Sequence, residues 1–363
     1  MVFDYAARIA RVTAAMGRSG VDTLLLSVGS DMPWLLGYEA MDLERVTMAV
    51  VRPDSRPTLV VPRLEAPRVD DRGEIFDVVA WDELEDPIGI IVDLVGAGSA
   101  LAVGDRTWSM FTLALQARLG GRTWESAGPI MAEMRMVKEA EELDRLRAVG
   151  ASADRVAERL AGYLFGGKTE RRVAADIAAM LVEEGHDSAW DVIVASGPNG
   201  ASPHHEPGDR VIQIGDPVVC DFGGTMDGYI SDTTRNFVVG EPAAEYVAMF
   251  AVLREAQEAG VRAATVGTPC QDVDRTTRKV IQDAGYGEYF VHRTGHGIGL
   301  EVHESPYIVE GNELPLAAGM VFSVEPGIYV PGQFGMRIED IVIATDAGPE
   351  RCNNSPHEFV SVR

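Results

Sequence analysis

The segment "DPVVCDFGGTMDGYISDTTRNFVV", residues 216–239, has the plan of a β-hairpin, with an apolar run, a glycine turn and a second β-rich run. The same plan returns in "GMVFSVEPGIYVPGQFGMRIEDIVIA", residues 319–344. In each segment one acid ends the first apolar run and another lies in the returning run: Asp221 and Asp232, then Glu325 and Glu339. Two such hairpins predict a pseudo-twofold architecture in which four carboxylates face one centre.

Carboxylates that end apolar strands are costly to bury unless their charge is met. Four of them in one core would repel each other and take up protons. Divalent cations remove that problem, because four carboxylates and one histidine carry a charge that two divalent ions balance. Carboxylate-rich sites suit Mn(II), with Co(II), Zn(II) or Fe(II) as alternatives. The sequence therefore predicts a site for two divalent metal ions.

The histidines gather near these acids in the sequence. Of the seven in the chain, five lie between His204 and His303. The stretch "HRTGHGIGLEVHE", residues 292–304, places three of them among glycines, which allow the backbone and a ligand to approach closely. His186 and His357 lie outside this group, and we expect both at the surface.

Composition excludes several classes of protein. The chain has 363 residues, 46% of them hydrophobic and 24% charged, which is typical of a globular protein of about two domains. Its 56 acidic and 32 basic residues give a formal charge of −24, so we expect no binding to nucleic acid or to an anionic membrane. The three cysteines have no zinc-site spacing and their odd number gives no disulfide framework, which suits the cytoplasm.

The first third of the chain alternates strand-like and helical segments after an amphipathic opening helix. This alternation is typical of an α/β domain. The predicted strands lie near residues 21–28, 45–53, 57–62, 76–81, 99–105 and 122–126, and predicted helices lie near 86–96 and 107–119. No compact set of catalytic residue types occurs there.

The character of the sequence changes near Gly128. Residues 134–164 predict one long amphipathic helical stretch, and Thr169 is the expected N-cap of the next helix. Strands and glycine turns then dominate, interrupted by helices near 243–264 and 271–284. We place the domain boundary between residues 127 and 128, which gives an α/β domain over 1–127 and an α+β domain over 128–363.

Four blocks together resemble the signature of the pita-bread metallopeptidases, the family of prolidase, aminopeptidase P and methionine aminopeptidase. The blocks are HRTGHGIGLEVHE, VVCDFGGTMDGYISDTTR, VEPGIYVPG and GMRIED. The resemblance runs from about Gly128 to the C-terminus. The preceding segment resembles the creatinase/prolidase N-terminal domain.

The resemblance implies a set of five metal ligands and their order around two ions. The ligands would be Asp221, Asp232, His296, Glu325 and Glu339. Asp232 and Glu339 would bridge the ions, Asp221 would be terminal on one, and His296 with Glu325 terminal on the other.

Further roles follow from matching positions. His303 resembles the family histidine that contacts the scissile carbonyl or the oxyanion, and His204 resembles the one that closes the other side of the site. His205 is the alternative to His204. His292 resembles a residue of the substrate pocket, and Arg337 would orient Glu339.

The expected activity is metal-dependent hydrolysis of the Xaa-Pro bond. Paired divalent ions activate water, His204 and His303 would stabilise the oxyanion, and Glu325 would carry a proton to the leaving amine. The alternatives are an aminopeptidase P that acts on longer peptides, a creatinase-like amidohydrolase, a methionine aminopeptidase and a non-catalytic binding module. The extra N-terminal domain disfavours methionine aminopeptidase, and the complete ligand set disfavours a creatinase proper and a binding module.

Substrate length is left open by one position. Prolidases with similar motifs often carry Arg four residues after the second histidine, whereas this chain has Tyr307 there. A phenol cannot neutralise the carboxylate of a dipeptide. Either another group, such as an N-terminal-domain arginine of this chain or of a dimer partner, supplies the charge, or longer peptides are accepted. Residues 30–41 resemble a segment that lies near a partner's active site in the family's dimers, and a homodimer is therefore expected.

Overall fold

The computed structural model describes residues 3–70, 74–190 and 192–363. The chain divides into two compact units, Met1–Arg135 and Met136–Arg363. Met1 and Val2, which open the predicted first helix, lie outside the described residues. The division lies a few residues beyond the boundary that the sequence suggested, because the helix that starts at Gly128 belongs mostly to the first unit. Within that unit its Arg135 donates to Asp31 Oδ1 over 2.7 Å.

The first unit contains the α/β alternation that the sequence predicts. Its elements in chain order are α1 Tyr5–Ser19, β1 Thr23–Leu26, α2 Asp31–Leu36, β2 Met48–Val51, β3 Thr58–Pro62, a 3₁₀ turn Ala66–Arg68, β4 Asp77–Trp81, α3 Pro87–Val95, β5 Ala100–Val103, α4 Ser109–Arg118, β6 Thr123–Ser126 and α5 Gly128–Met136. The six strands form one mixed sheet in the order β4-β3-β2-β1-β5-β6. The central strands β1 and β2 are buried along their whole length, which explains their unbroken apolar runs.

The second unit repeats one plan twice. Its elements are α6 Ala140–Leu160, α7 Glu170–Glu183, β7 Ser188–Ala189, β8 Ile193–Ser196, a 3₁₀ turn Gly197–Ala201, β9 Pro217–Phe222, β10 Gly224–Met226, β11 Tyr229–Ile230, β12 Thr233–Val239, α8 Ala244–Ala263, α9 Cys270–Asp283, a 3₁₀ turn Gly287–Tyr289, β13 Gly295–Gly297, β14 Glu304–Ile308, β15 Val321–Val324, β16 Gly327–Val330, β17 Phe334–Arg337, β18 Asp340–Ile343, β19 Glu350–Arg351 and β20 Val360–Val362. A pair of helices precedes each set of strands, α6 and α7 in one half and α8 and α9 in the other.

The two hairpins predicted from the sequence are the centre of this repeat. Strand β9 pairs antiparallel with β12, and β15 pairs antiparallel with β18. Each hairpin encloses a smaller antiparallel pair, β10 with β11 and β16 with β17. The second acid of each hairpin lies just before the returning strand, not within it: Asp232 precedes Thr233 of β12, and Glu339 precedes Asp340 of β18. A bridge between Thr234 and Glu339 joins the hairpins.

The long helical stretch predicted over residues 134–164 is interrupted. Val137 forms a bridge with Met320, and the Lys138 N–H donates to the Gly319 carbonyl over 2.9 Å, so both residues leave the helix to pair with another segment. Helix α6 then begins after Glu139, where Glu139 and Glu142 form a capping box. The predicted N-cap at Thr169 is confirmed, because its hydroxyl accepts from the Arg172 N–H over 3.2 Å.

The three cysteines, Cys220, Cys270 and Cys352, are buried free thiols. Among the described residues, none of the helices combines the length and apolar character that crossing a bilayer requires.

Candidate metal centre

Three of the five expected ligands meet at the junction of the two hairpins. Asp232, His296 and Glu339 are buried, and each offers a ligand atom within 4.8 Å of the others. Asp232 comes from the first hairpin and Glu339 from the second. His296 comes from β13, which pairs with β15 of the second hairpin. The group therefore depends on the association of both halves of the unit.

Glu325 and Asp221 lie beside this group. Glu325 Oε1 is 3.3 Å from His296 Nε2, and Asp232 Oδ2 is 3.7 Å from the same nitrogen. Asp221 Oδ2 accepts from Arg337 Nη2 over 2.7 Å. Five side chains of the predicted types thus face the same region, four carboxylates and one imidazole.

The hydrogen bond at His296 Nδ1 decides which ring nitrogen faces the acids. Nδ1 is 3.1 Å from the Gly297 carbonyl, which can only accept, so Nδ1 carries the proton. Burial, followed by the charge of His303, lowers the pKa of His296 to about 3, so the ring is neutral at pH 7. Its Nε2 lone pair therefore faces carboxylate oxygens. Such contacts are repulsive unless a cation lies between them.

The carboxylates show the same need for positive charge. Burial, and then the charges of Glu339 and Asp221, raises the pKa of Asp232 well above its usual value. Burial likewise raises the pKa of Glu339, and it raises that of Glu325 to about 7. Within the described part of the chain, Asp221 Oδ1 and Asp232 Oδ1 are buried without a hydrogen-bond partner. Oxygen-rich ligands, neutral imidazole and unpartnered buried oxygens all fit divalent metal ions.

A cavity of about 1030 Å³ opens onto these side chains. All three histidines expected to contact substrate, His204, His292 and His303, line it. The His303 ring lies edge-on to the His296 ring with centroids 4.2 Å apart. Burial, and then the charges of Arg293 and His204, lowers the pKa of His303. A neutral His303 beside the acids can donate one N–H to an oxygen in the cavity.

His204 and His205 both line the cavity but differ in their contacts. His205 Nε2 donates to Glu170 Oε2 over 2.8 Å. His204 makes no such bond to any of the described residues, and its charge lowers the pKa of both His292 and His303. The assignment of His204 to the substrate carbonyl therefore stays a prediction, with His205 occupied elsewhere.

Arg337 contacts one expected ligand directly and another through a hydroxyl group. It is the terminal residue of β17, and its Nη2 donates to Asp221 Oδ2 over 2.7 Å. Its Nε donates to the Thr234 hydroxyl over 3.1 Å, and that hydroxyl donates to Glu339 Oε2 over 2.7 Å. The role of Arg337 in orienting Glu339 stays a prediction, with Thr234 lying between the two groups.

Sequence reasoning missed Tyr329 as a member of the site. Its hydroxyl accepts from Arg337 Nη1 over 2.8 Å and lies 2.9 Å from His292 Nε2, so Tyr329 and Arg337 connect His292 to the expected ligand Asp221. Tyr329 belongs to the block VEPGIYVPG, four residues after Glu325. A polar aromatic residue in an otherwise apolar strand is the feature of the sequence that could have identified Tyr329.

The two histidines expected at the surface are not free surface residues. His186 is 3% exposed, and its Nε2 lies 2.9 Å from the Ser231 hydroxyl. His357 is partly buried, with Nε2 2.7 Å from Asp340 Oδ2 and Nδ1 3.1 Å from Glu258. Both predictions were wrong because the partners lie far away in sequence.

The paired hairpins with their carboxylate–histidine centre, preceded by an α/β unit, define a pita-bread protein with a creatinase/prolidase-like N-terminal domain. The chain belongs to metallopeptidase family M24, whose model matches residues 144–346, while the creatinase/prolidase N-terminal domain matches residues 8–137. The resemblance stated from the sequence is thereby confirmed, and the protein is a peptidase.

Similar proteins extend over nearly the whole chain. A probable dipeptidase PepE of Mycobacterium tuberculosis is 45% identical over 99% of this chain and 96% of its own length. A Xaa-Pro dipeptidase of Lactobacillus helveticus is 34% identical over 91% of this chain and 92% of its own. The crystal structure of a prolidase from Thermococcus sibiricus aligns with a TM-score of 0.94 at 36% identity, covering 99% of this chain and 100% of that one.

We expect the metal-free protein to lose stability as the pH rises from about 6.5 to about 8. Glu325 has a pKa of about 7 in the folded chain and an ordinary value of 4.5, so the folded state binds its proton more tightly, and that advantage is lost as the pH rises through about 7. Asp232 and Glu339, whose pKa values are also raised, act in the same direction. The range begins at about pH 6.5 because the buried histidines, whose pKa values are lowered, change stability in the opposite direction below it. Melting temperatures of chelator-treated protein across this range measure the effect.

Two comparisons make this measurement specific. Metal-saturated protein should not show the fall, because the ions balance the ionised carboxylates. Asp232→Asn removes one charge and should raise the melting temperature of the metal-free protein at pH 7.5. A metal-free protein whose stability is flat or rises over this range would contradict the described repulsion.

Proposed function

We propose that this chain hydrolyses the Xaa-Pro bond of dipeptides with two divalent metal ions held by Asp221, Asp232, His296, Glu325 and Glu339. The observation that supports this best is the buried carboxylate–histidine group that faces a cavity lined by His204, His292 and His303. Bound divalent ions supply Lewis-acid polarisation of a carbonyl and activate water near neutral pH.

The histidines would act on the oxygen of the scissile carbonyl. His303 is neutral and lies beside His296, and His204 also lines the cavity. Each can donate one N–H to the oxygen as it becomes negative. The lowered pKa of His303 leaves its ring neutral, so it can offer this hydrogen bond without adding positive charge beside the metal ions.

Glu325 would move the proton. Its carboxyl group lies 3.3 Å from His296 Nε2 and is bonded by the Ser323 hydroxyl at 3.2 Å, which fixes its orientation. Hydrolysis before proline releases a secondary amine that needs a proton. A buried carboxylate at this position can accept a proton from water and pass it to that nitrogen.

The positive charge available to bind the substrate's free carboxylate, more than the volume of the cavity, would determine the length of the substrate. A cavity of about 1030 Å³ is at the upper end for small-ligand sites and exceeds what a dipeptide fills. Two arginines line it, and Arg337 is already bonded to Asp221. Arg293 has no carboxylate partner among the described residues, and its guanidinium lies 4.4 Å from the centre of the Tyr307 ring.

Arg293 would therefore supply the cation that Tyr307 cannot. The two residues are brought together by the pairing of β13 with β14, in which Tyr307 lies opposite His296. An aromatic face below the guanidinium limits its motion without neutralising its charge. We propose that Arg293 binds the free carboxylate of the proline residue.

Removal of metal should abolish activity. Purified protein should contain up to two divalent ions per chain, and after chelation Mn(II) or Co(II) should restore hydrolysis, with Mn(II) the expected native ion. Asp232→Ala should lose roughly half or more of the bound metal, because one of its oxygens has no other partner among the described residues. His303→Ala is the matched control and should retain its metal. Elemental analysis measures both, and full activity in metal-free protein would disprove the proposal.

Loss of either cavity histidine should affect turnover without unfolding the chain. His303→Ala and His204→Ala should lower kcat by roughly 10²–10³-fold while metal content and melting temperature stay close to those of the parent protein. Steady-state kinetics with Ala-Pro measure the change. An inactive His205→Ala together with a normal His204→Ala would reverse the assignment of that pair.

Substrate length is tested with Ala-Pro, Ala-Pro-amide and Ala-Pro-Ala. The dipeptide should have the highest kcat/KM. Arg293→Ala should lower kcat/KM for Ala-Pro by roughly 10- to 100-fold, the effect of a lost charge-assisted hydrogen bond, and should change hydrolysis of the amide little. Arg171→Ala, at an exposed arginine on α7, is the matched control.

Each outcome of that panel is informative. Equal rates for the free and blocked dipeptides in the parent protein would favour an aminopeptidase P that accepts longer peptides. If Arg293→Ala lowered kcat/KM equally for all three substrates, Arg293 would not be the group that binds the proline carboxylate. The proposed dipeptidase activity would not be affected by that result. The expected homodimer stays a prediction, and light scattering of the purified protein measures it.

A further inference from the structure

The two cavity histidines are not held in place by hydrogen bonds of their own rings. In the described ranges, neither His204 nor His303 forms a hydrogen bond through its imidazole, although His303 contacts the His296 ring. A ring that is to meet an oxygen at a fixed point must then be oriented by its backbone and packing. The residue that follows each histidine provides such a constraint.

His205 is bonded to a carboxylate from which water is excluded. Its Nε2 donates to Glu170 Oε2 over 2.8 Å, and the Glu170 side chain is 0% exposed. Glu170 lies at the start of α7, a helix whose N-cap is Thr169. The imidazole next to His204 is therefore tied to a rigid element of the fold.

Glu170 also fixes both ends of the segment that carries His204. It accepts from the Ser196 N–H at 2.8 Å and from the Ser196 hydroxyl at 2.7 Å, where the segment begins. Three residues later it accepts from the Asn199 side-chain amide at 3.0 Å. At the end of the segment it accepts from the Gly208 N–H at 3.4 Å. Burial alone would raise the pKa of Glu170, but the bonds from Ser196 and His205 outweigh it and lower the pKa, so the carboxylate is ionised.

His303 has an equivalent neighbour in the other half of the unit. Glu304 Oε1 accepts from Lys138 Nζ over 2.7 Å, with the side chains 8% and 1% exposed. The Lys138 N–H in turn donates to the Gly319 carbonyl. The turn before His303 packs directly on this pair, since a Cβ at Gly299 would lie 2.7 Å from Glu304 Oε1 and 3.2 Å from Lys138 Cε.

We propose that the Glu170–His205 and Lys138–Glu304 pairs are positioning pairs that hold His204 and His303 at the substrate carbonyl. The first pair acts on His204, which precedes His205 in the sequence, and the second acts on His303, which precedes Glu304. The proposal rests on the proposed function, in which those two histidines contact the reacting oxygen.

A double-mutant cycle with His205 and His204 distinguishes an effect that acts through His204 from a general effect on the structure. His205→Leu introduces an apolar side chain of similar size that cannot donate to Glu170. If His205 acts through His204, His205→Leu should lower kcat roughly 10-fold in the parent protein and by less than about 2-fold in a His204→Ala background. KM and metal content should stay within about 2-fold of the parent values.

Two further variants make the cycle specific. His205→Gln retains an N–H donor and should recover most of the lost kcat, even if His205→Leu lowers the melting temperature. Asp209→Asn, at a residue whose side chain is 84% exposed just beyond the same segment, should change nothing. A 10-fold loss that persists in the His204→Ala background, or failure of His205→Gln to recover activity, would overturn the positioning role.

The same cycle applies to the second pair, with a charge-balanced change. Lys138→Met combined with Glu304→Gln avoids an unpaired buried charge, and its effect on kcat should disappear in a His303→Ala background. Failure of the proposed function has a different signature: fully active His204→Ala and His303→Ala variants would remove the catalytic role of both rings. If His204→Ala and His303→Ala were impaired but their effects on kcat added to those of the pair variants, only the positioning role of the pairs would be overturned.

Discussion

The mutual repulsion of buried carboxylates is the constraint on which the second unit depends. Burial, and then the charges of neighbouring carboxylates, raises the pKa values of Asp232, Glu339 and Glu325, while a neutral imidazole directs its lone pair at the same oxygens. Among the described residues, Asp221 Oδ1 and Asp232 Oδ1 have no hydrogen-bond partner. Bound cations would offset this repulsion at neutral pH and so stabilise the strands that bring these groups together.

The hairpins solve a second problem, which is how to hold like charges together without covering them. On β12 the Thr234 hydroxyl faces Glu339, while the next residue, Arg235, donates to the Glu339 carbonyl at 2.7 Å and to Asp340 Oδ1 at 2.8 Å. Successive residues of a strand face opposite sides of the sheet. Each hairpin thus presents a ligand-side residue on one face and a member of a buried ion pair on the other, and that ion pair fastens the two hairpins behind the site.

The sequence predicts the parts of the site whose chemistry is visible locally. An acid at the end of an apolar run is unusual by itself, and the repetition of that pattern identifies Asp221 and Glu325 as candidate ligands from the sequence. Thr234, Glu170 and Lys138 could not be found in this way, since each is a common residue type at an ordinary position in its element. Their roles depend on partners such as Glu339, His205 and Glu304, which lie at least 35 residues away.

The errors have the same origin. The expected surface position of His186 is wrong because its partner Ser231 follows 45 residues later. The predicted helix over 134–164 ignored the pairing of residues 137 and 138 with residues 319 and 320, which no local propensity reveals. Local sequence specifies the elements well, whereas long-range hydrogen bonds decide where they are interrupted.

Burial has opposite effects on the two kinds of titratable group in the cavity, and the difference suits the proposed chemistry. It raises the pKa of the carboxyl groups and lowers the pKa of His292, His296 and His303. Added positive charge restores ionised carboxylates but opposes protonation of the imidazoles still further. With cations bound, the same site therefore contains charged acids that can act as ligands and neutral histidines that can donate a hydrogen bond, a combination that solvent-exposed groups would hold over a narrower pH range.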